Sequence, residues 1–124
     1  MPVTRQNFEQ LGLPAGPYTH AVTHAETLYT SGFTAFGTPA AASGAGDQTR
    51  AVLNQLAFIA QQHGKDLDAL LKVTVFVTNP ADIPEIREAL AARYGCHVPA
   101  SSLVVISELF APDLKVEIEA VFAL

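Results

Sequence analysis

The plainest pattern in the chain is a strict alternation from Leu71 to Thr78. Leu71, Val73, Val75 and Val77 take one side, and Lys72, Thr74, Phe76 and Thr78 take the other. A period of two sends successive side chains to opposite faces, so this is a strand with one strongly apolar face. Asn79-Pro80 breaks it. Upstream, Val52, Leu53, Leu56, Ala57, Ile59 and Ala60 recur at helical spacing. Asp47 can cap the start of that helix, and Gly64 stands where a left-handed residue is wanted after its end, which predicts a helix over Gln48–His63. Downstream, Asp82-Ile83-Pro84-Glu85 has the form of a capping box with proline in the first turn. Ile83, Ile86, Leu90 and Tyr94 then form the apolar stripe of a second helix, closed by Gly95.

Shorter signals fill in the rest. Tyr18–Val22 and Thr27–Ser31 are rich in β-branched and aromatic residues, and His24-Ala25-Glu26 is short enough to be a hairpin loop between them. Thr34–Gly46 is a run of Gly, Ala, Ser and Pro that can bury little and reads as a surface loop. Two further strands are expected near Leu103–Ser107 and Leu114–Phe122. The order is ββ-α-β-α-β-β, an α+β domain with two helices on one face of a single sheet and the other face left open. In the last strand Val116, Ile118, Ala120 and Phe122 share one face, while Glu117, Glu119, Val121 and Ala123 share the other.

A chain of 124 residues fits one domain over residues 1–124. Its hydrophobic fraction of 49% against 15% charged residues exceeds what a small monomer needs, so some apolar surface is expected to be covered by another subunit. Net charge is −5, and the seven basic residues are scattered, so nothing gathers to neutralise phosphates and nucleic acid is not an expected partner. No apolar run is long enough to span a bilayer, and the stretch MPVTRQNFEQLG lacks a signal-peptide pattern. With the lone Cys96, this reads as a cytoplasmic protein.

Candidate chemistry is sparse. His20 and His24 fall on a strand and turn, too far apart to share a metal, and no ligand set is recognisable, so no metal is expected. Cys96 follows a helix-ending glycine and is expected to be packed, pointing away from His97. Gly44 to Thr49 reads as a helix entrance and not as a dinucleotide loop. Glu117 and Glu119 are more informative. They lie on one face, two residues apart, so if they are enclosed one carboxyl is held protonated to higher pH and can act as a general acid or base. A solvated edge is the alternative.

Several pieces, in order, resemble the RidA/YjgF family, also called endoribonuclease L-PSP. They are Gly16-Pro17-Tyr18, Thr30-Ser31-Gly32, Gln48-Thr49-Arg50 with Val52-Leu53, Lys72 to Thr78, Pro99-Ala100, and Val116-Glu117-Ile118-Glu119-Ala120. The resemblance implies a chorismate-mutase-like fold and a homotrimer with small-molecule clefts between subunits. It also implies hydrolysis of reactive enamines and imines to 2-oxo acids and ammonia, without a cofactor. By the same resemblance Tyr18 is the cleft tyrosine, Ser31 and Gly32 hold the ligand through their backbone, and Glu117 positions a water. The family's arginine after Pro-Ala, which grips the substrate carboxylate, is here Ser101, while His20 and Phe33 stand where glutamine is usual. Serine cannot replace a guanidinium's bidentate, charge-assisted grip. A neutral or more apolar ligand is therefore expected, lined by Phe33, Leu103 and Phe110, with Glu119 beside the base. The sequence leaves open an enzyme using Glu117, Tyr18 and Ser101, or a binding module without catalysis.

Overall fold

The computed structural model describes residues 1–124. Its elements in chain order are strands β1 (Val3–Gln6), β2 (Ala21–His24) and β3 (Thr27–Thr30), helix α1 (Ala45–Gln61), strand β4 (Leu70–Val77), helix α2 (Ile83–Tyr94), and strands β5 (Ala100–Val105) and β6 (Val116–Ala123). The six strands form one mixed sheet in the order β1-β2-β3-β6-β4-β5. β4 and β5 run parallel across α2, and every other neighbouring pair is antiparallel. The expected α+β class, with a single sheet and two helices, holds.

The core explains why both helices lie on one face. Val116, Ile118, Ala120 and Phe122 of β6, Val73, Val75 and Val77 of β4 and Leu28 of β3 form an apolar floor. Val52, Leu53, Leu56 and Ile59 of α1 and Ile86 and Leu90 of α2 close over it. The opposite face carries Tyr29, Lys72, Thr74, Phe76, Glu117 and Glu119 and has no helix over it.

Several boundaries differ from the sequence expectation, each for a local reason. β1 is not among the expected strands, because its largely exposed residues show no alternation of burial. The segment expected as a strand from Tyr18 becomes one only at Ala21. Before that, Tyr18 N–H turns back to the Gly16 carbonyl (2.9 Å) and His20 N–H donates to Asn7 Oδ1 (3.0 Å). The hairpin loop is two residues, since His24 pairs with Thr27, and Ala25 takes up a φ of 53°. Asp47 is not the N-cap. α1 begins at Ala45 with Gly44 capping, and Asp47 lies in the first turn, paired with Arg50 at 2.6 Å. At the other end Gly64 is left-handed, with φ 70°, as expected; Lys65 N–H reaches the Ala60 carbonyl and Gly64 N–H the Gln61 carbonyl.

The capping box does not form. A 3-10 turn over Pro80–Asp82 precedes α2, and Asn79 Oδ1 accepts from Ala81 N–H at 3.0 Å instead. An irregularity between Leu70 and Lys72 shifts the start of β4, so Leu70 is buried and Leu71 is 49% exposed. The final two strands are Ala100–Val105 and Val116–Ala123, because pairing with β4 sets their limits. The Thr34–Gly46 loop is not wholly at the surface, since Thr34, Ala35 and Ala45 are buried. No helix is long and apolar enough to cross a membrane.

Candidate functional site

The site is built where β3 runs out beside β6. Past Thr30 the chain makes one more bridge: Phe33 N–H donates to the Ile118 carbonyl (2.9 Å) and Ile118 N–H to the Phe33 carbonyl (3.0 Å). This lays Gly32 directly against Glu117. A methyl group on Gly32 would come within 2.5 Å of Glu117 Oε2 and 2.8 Å of its Cδ. Glycine is needed here for close approach and not for backbone angle, since Gly32 is not among the positive-φ residues. No backbone acceptor takes the Gly32 N–H.

Side-chain hydroxyls stitch the surrounding loops. Thr30 Oγ1 accepts from Ala120 N–H (3.0 Å) and donates to the Ser31 carbonyl (2.8 Å). Ser31 Oγ donates to the Thr19 carbonyl, and Ser31 N–H to the His20 carbonyl (3.0 Å), which ties the Tyr18 segment to Gly32. Ser31 is therefore a structural tie through its hydroxyl. Tyr18 is half-exposed, and its Oη accepts from Ala15 N–H at 3.3 Å, leaving the phenolic proton free to donate.

Electrostatics single out Glu117. Burial pushes its carboxyl above the usual carboxylate range, and the neighbouring charge of Glu119 pushes the same way. Glu119 itself is exposed on the open sheet face. Nearby, His20 is almost fully buried, with its Nδ1 accepting from Phe8 N–H at 2.9 Å. Burial lowers its pKa, against a hydrogen bond to the Gly12 carbonyl that raises it, so the ring is neutral at pH 7.

A cavity of ≈ 130 Å³ opens here, with Tyr18, His20, Gly32, Phe33, Phe36 and Phe110 among its walls. A larger groove of ≈ 550 Å³ runs along α1 and shares Leu11 and Gln55 with it. The charges of that groove, Asp47 and Arg50, are paired with each other and more than half exposed. Gly32 is part of the wall of the smaller cavity; Glu117 is not, and reaches it only through its contact with Gly32.

The family model described as Endoribonuclease L-PSP matches residues 9–124. The chain belongs to this family, the RidA/YjgF proteins. Among its relatives, RutC family protein PH0854 of Pyrococcus horikoshii is 32% identical over 111 residues, 87% of each chain. A 2-iminobutanoate/2-iminopropanoate deaminase of Dermatophagoides farinae is 27% identical over 87% of this chain and 86% of its own. The crystal structure of Rv2704 from Mycobacterium tuberculosis, a member of the YjgF/YER057c/UK114 family, superposes with a TM-score of 0.83 at 27% identity, covering 99% of this chain and 100% of that one.

In this RidA/YjgF chain the remaining expected residues scatter. Ser101 pairs in register with Val73, and Glu117 with Phe76, on either side of β4. Two strand spacings and a three-residue offset separate them by about 14 Å, with their side chains on opposite faces. One chain therefore does not bring Ser101 to Glu117. The cation nearest in register to Ser101 is Lys72, whose Nζ donates to Ser102 Oγ at 2.8 Å. Leu103 packs against the core, opposite Val75, and does not line the cavity. Phe33 belongs to both core and cavity wall. Cys96 is exposed and its sulfur lies 3.6 Å from His97 Nδ1, contrary to the expectation that it is packed and points away.

The sequence reading missed Phe36 and Gln48. Phe36 meets Phe110 edge to face, with ring centroids 5.1 Å apart. The only signal for it was a lone aromatic in a Gly/Ala/Pro loop. Gln48 is fully buried and fully partnered. The two hydrogens of its Nε2 are shared among the carbonyls of Asp113 (2.8 Å), Ser43 (3.1 Å) and Ala41 (3.2 Å), and its Oε1 accepts from Lys115 N–H (2.9 Å). It clamps the loop carrying Phe36 to the loop carrying Phe110.

Proposed function

We propose that this chain is a cofactor-independent hydrolase of C=N bonds, acting in a cleft between subunits of a homotrimer. The reaction is R₂C=NH + H₂O → R₂C=O + NH₃. Glu117 takes a proton from the attacking water, the Gly32 N–H donates to the developing oxyanion, and Tyr18 anchors the substrate. Ser31 and Phe33 frame the ligand, and Glu119 keeps Glu117 basic. Ser101 is a further polar anchor, and because it lies far from Glu117 in one chain, it would serve a neighbouring subunit's cleft. The observation that carries this reading is the Glu117 carboxylate held against Gly32 with its pKa raised by burial. The deaminase name of the mite relative supports the same reaction type.

Ser101 at the arginine position argues against the generic imino acids as substrates. Turnover of 2-iminopropanoate, followed as pyruvate release, is expected to be far below that of an arginine-bearing family member; equal turnover would refute this assignment of the site. On any imine that the protein does hydrolyse, Glu117→Gln should lower turnover by about 10²-fold or more, with Glu119→Gln doing much less. Full turnover in both variants would remove the carboxylate mechanism. Light scattering should give three times the 13.1 kDa chain mass, and a monomer would remove the inter-subunit cleft.

A second reading is a metabolite-binding protein without catalysis. The absence of a cationic side chain among the cavity walls favours it. Saturable ligand binding with no turnover of any imine would establish it.

A further inference from the structure

The proposed chemistry leaves the substrate class open, and the walls of the cavity narrow it. No Lys, Arg, Asp or Glu lines the cavity beside Gly32. Tyr18 keeps a phenolic proton free to donate, and the other polar side chains are engaged with the chain. Thr34 Oγ1 accepts from Phe36 N–H at 3.2 Å, and Gln55 Nε2 donates to the carbonyls of Thr34 (2.8 Å) and Ala51 (3.2 Å). His20 is neutral and accepts from Phe8 N–H. What the walls present instead is aromatic surface. Phe36 and Phe110, 59% and 67% exposed, meet at 63°, and Tyr18 lines the same cavity.

Such a site treats charges unequally. An anion entering it loses hydration and gains no cation from this chain, which is costly. It also approaches the carboxylate of Glu117 behind Gly32. A cation meets the opposite conditions: aromatic faces attract it through their quadrupoles, and the carboxylate attracts it directly. The two phenylalanines also leave apolar surface in water that a flat ring can cover. A cavity of ≈ 130 Å³ is of the size that holds one six-membered ring.

Building on the hydrolase reading of Glu117 and Gly32, we infer that this cavity selects an aryl-bearing imine in its protonated form, without a carboxylate beside the C=N bond. The ring lies against Phe36 and Phe110, and the iminium carbon faces Gly32 and Glu117. The step is R₂C=NH₂⁺ + H₂O → R₂C=O + NH₄⁺. Water's oxygen forms the new bond to carbon, the C–N bond breaks, and both water protons end on the departing ammonium, one of them relayed by Glu117.

The inference can be tested without turnover, using three stable probes measured by calorimetric titration. Benzamidine carries a ring and a planar C=N cation, benzoate a ring and an anion, and acetamidine the cation without the ring. Benzamidine should bind saturably, with a Kd at least tenfold below those of benzoate and acetamidine. Phe36→Ala and Phe110→Ala, at exposed positions, should each weaken benzamidine threefold or more while weakening acetamidine less. Glu117→Gln should narrow the gap between benzamidine and benzoate. Benzoate binding as tightly as benzamidine would overturn the inference, as would benzamidine binding unaffected by both phenylalanine variants. Because benzamidine is not hydrolysed, these results stand apart from the catalytic test. A loss of selectivity sinks the substrate class, whereas unimpaired turnover in Glu117→Gln sinks the hydrolase reading.

Discussion

Gly32→Ala is the sharpest perturbation the structure offers. The new methyl group would sit 2.5 Å from Glu117 Oε2, 2.8 Å from Cδ and 3.1 Å from Cγ. Ordinary contact requires the carboxylate to retreat by about 1 Å, and overpacking of this kind costs about 1–3 kcal/mol. The low end applies, because the obstacle is the end of a flexible side chain and not backbone. At about 1 kcal/mol, for a chain of this length, that is a fall in Tm of about 3–5 °C. Retreat of the carboxylate toward water should let the Glu117 pKa fall back toward the ordinary carboxylate value. Carboxyl-carbon NMR titration reads that pKa, and thermal unfolding reads the stability. On any imine that the protein hydrolyses, a misplacement of this size should cost about 10²-fold in turnover. A variant with wild-type Tm and an unchanged Glu117 titration would show that the carboxylate does not rest against Gly32.

Three further outcomes are expected. The folded protein holds the Glu117 proton more tightly than the unfolded chain does, so this contribution to stability is full at low pH and is lost as pH rises through the folded pKa. Glu117→Gln should accordingly stabilise the protein at pH 7–8 and lose that advantage below roughly pH 4, as read by Tm against pH; an advantage that grew toward low pH would contradict the raised pKa. Gln48→Ala strips the partner from three carbonyls and one N–H and should cost about 3 kcal/mol, with a weaker benzamidine complex because the Phe36 and Phe110 loops come unclamped; an unchanged Tm would contradict the clamp. Tyr94 is buried with its pKa pushed up to about 12, and its hydroxyl finds no partner. Tyr94→Phe should therefore leave stability unchanged or raise it by about 1 kcal/mol in denaturant titration, and a clear loss would reveal a partner for the hydroxyl.

Some of this was legible from residue order because the signal is local. The alternation through Val73, Val75 and Val77 and the stripe from Val52 to Ala60 each state a period, and the period fixes strand or helix. Gly64 and Gly95 mark helix ends because positive φ favours glycine wherever the fold lies. The ends of elements were less legible, because longer-range partners set them. Asp47 has the chemistry of a cap, yet α1 starts earlier, where Gly44 can enter the helix. Leu71 keeps the alternation on paper, yet the irregularity beside Leu70 turns it outward. β1 exists only through its pairing with β2.

The sequence by itself determined the apolar face of β6, the pairing of Glu117 with Glu119 on its other side, and the α+β class, because each follows from the period of a single segment. It also determined that no arginine follows Pro99-Ala100. Only the tertiary structure decided that Glu117 rests against Gly32, that Ser101 is two strands away, that Leu103 belongs to the core, and that Phe36 meets Phe110 through the buried amide of Gln48. Those facts depend on contacts between residues up to 85 positions apart, and strand order and register, which create such contacts, are written in no local pattern.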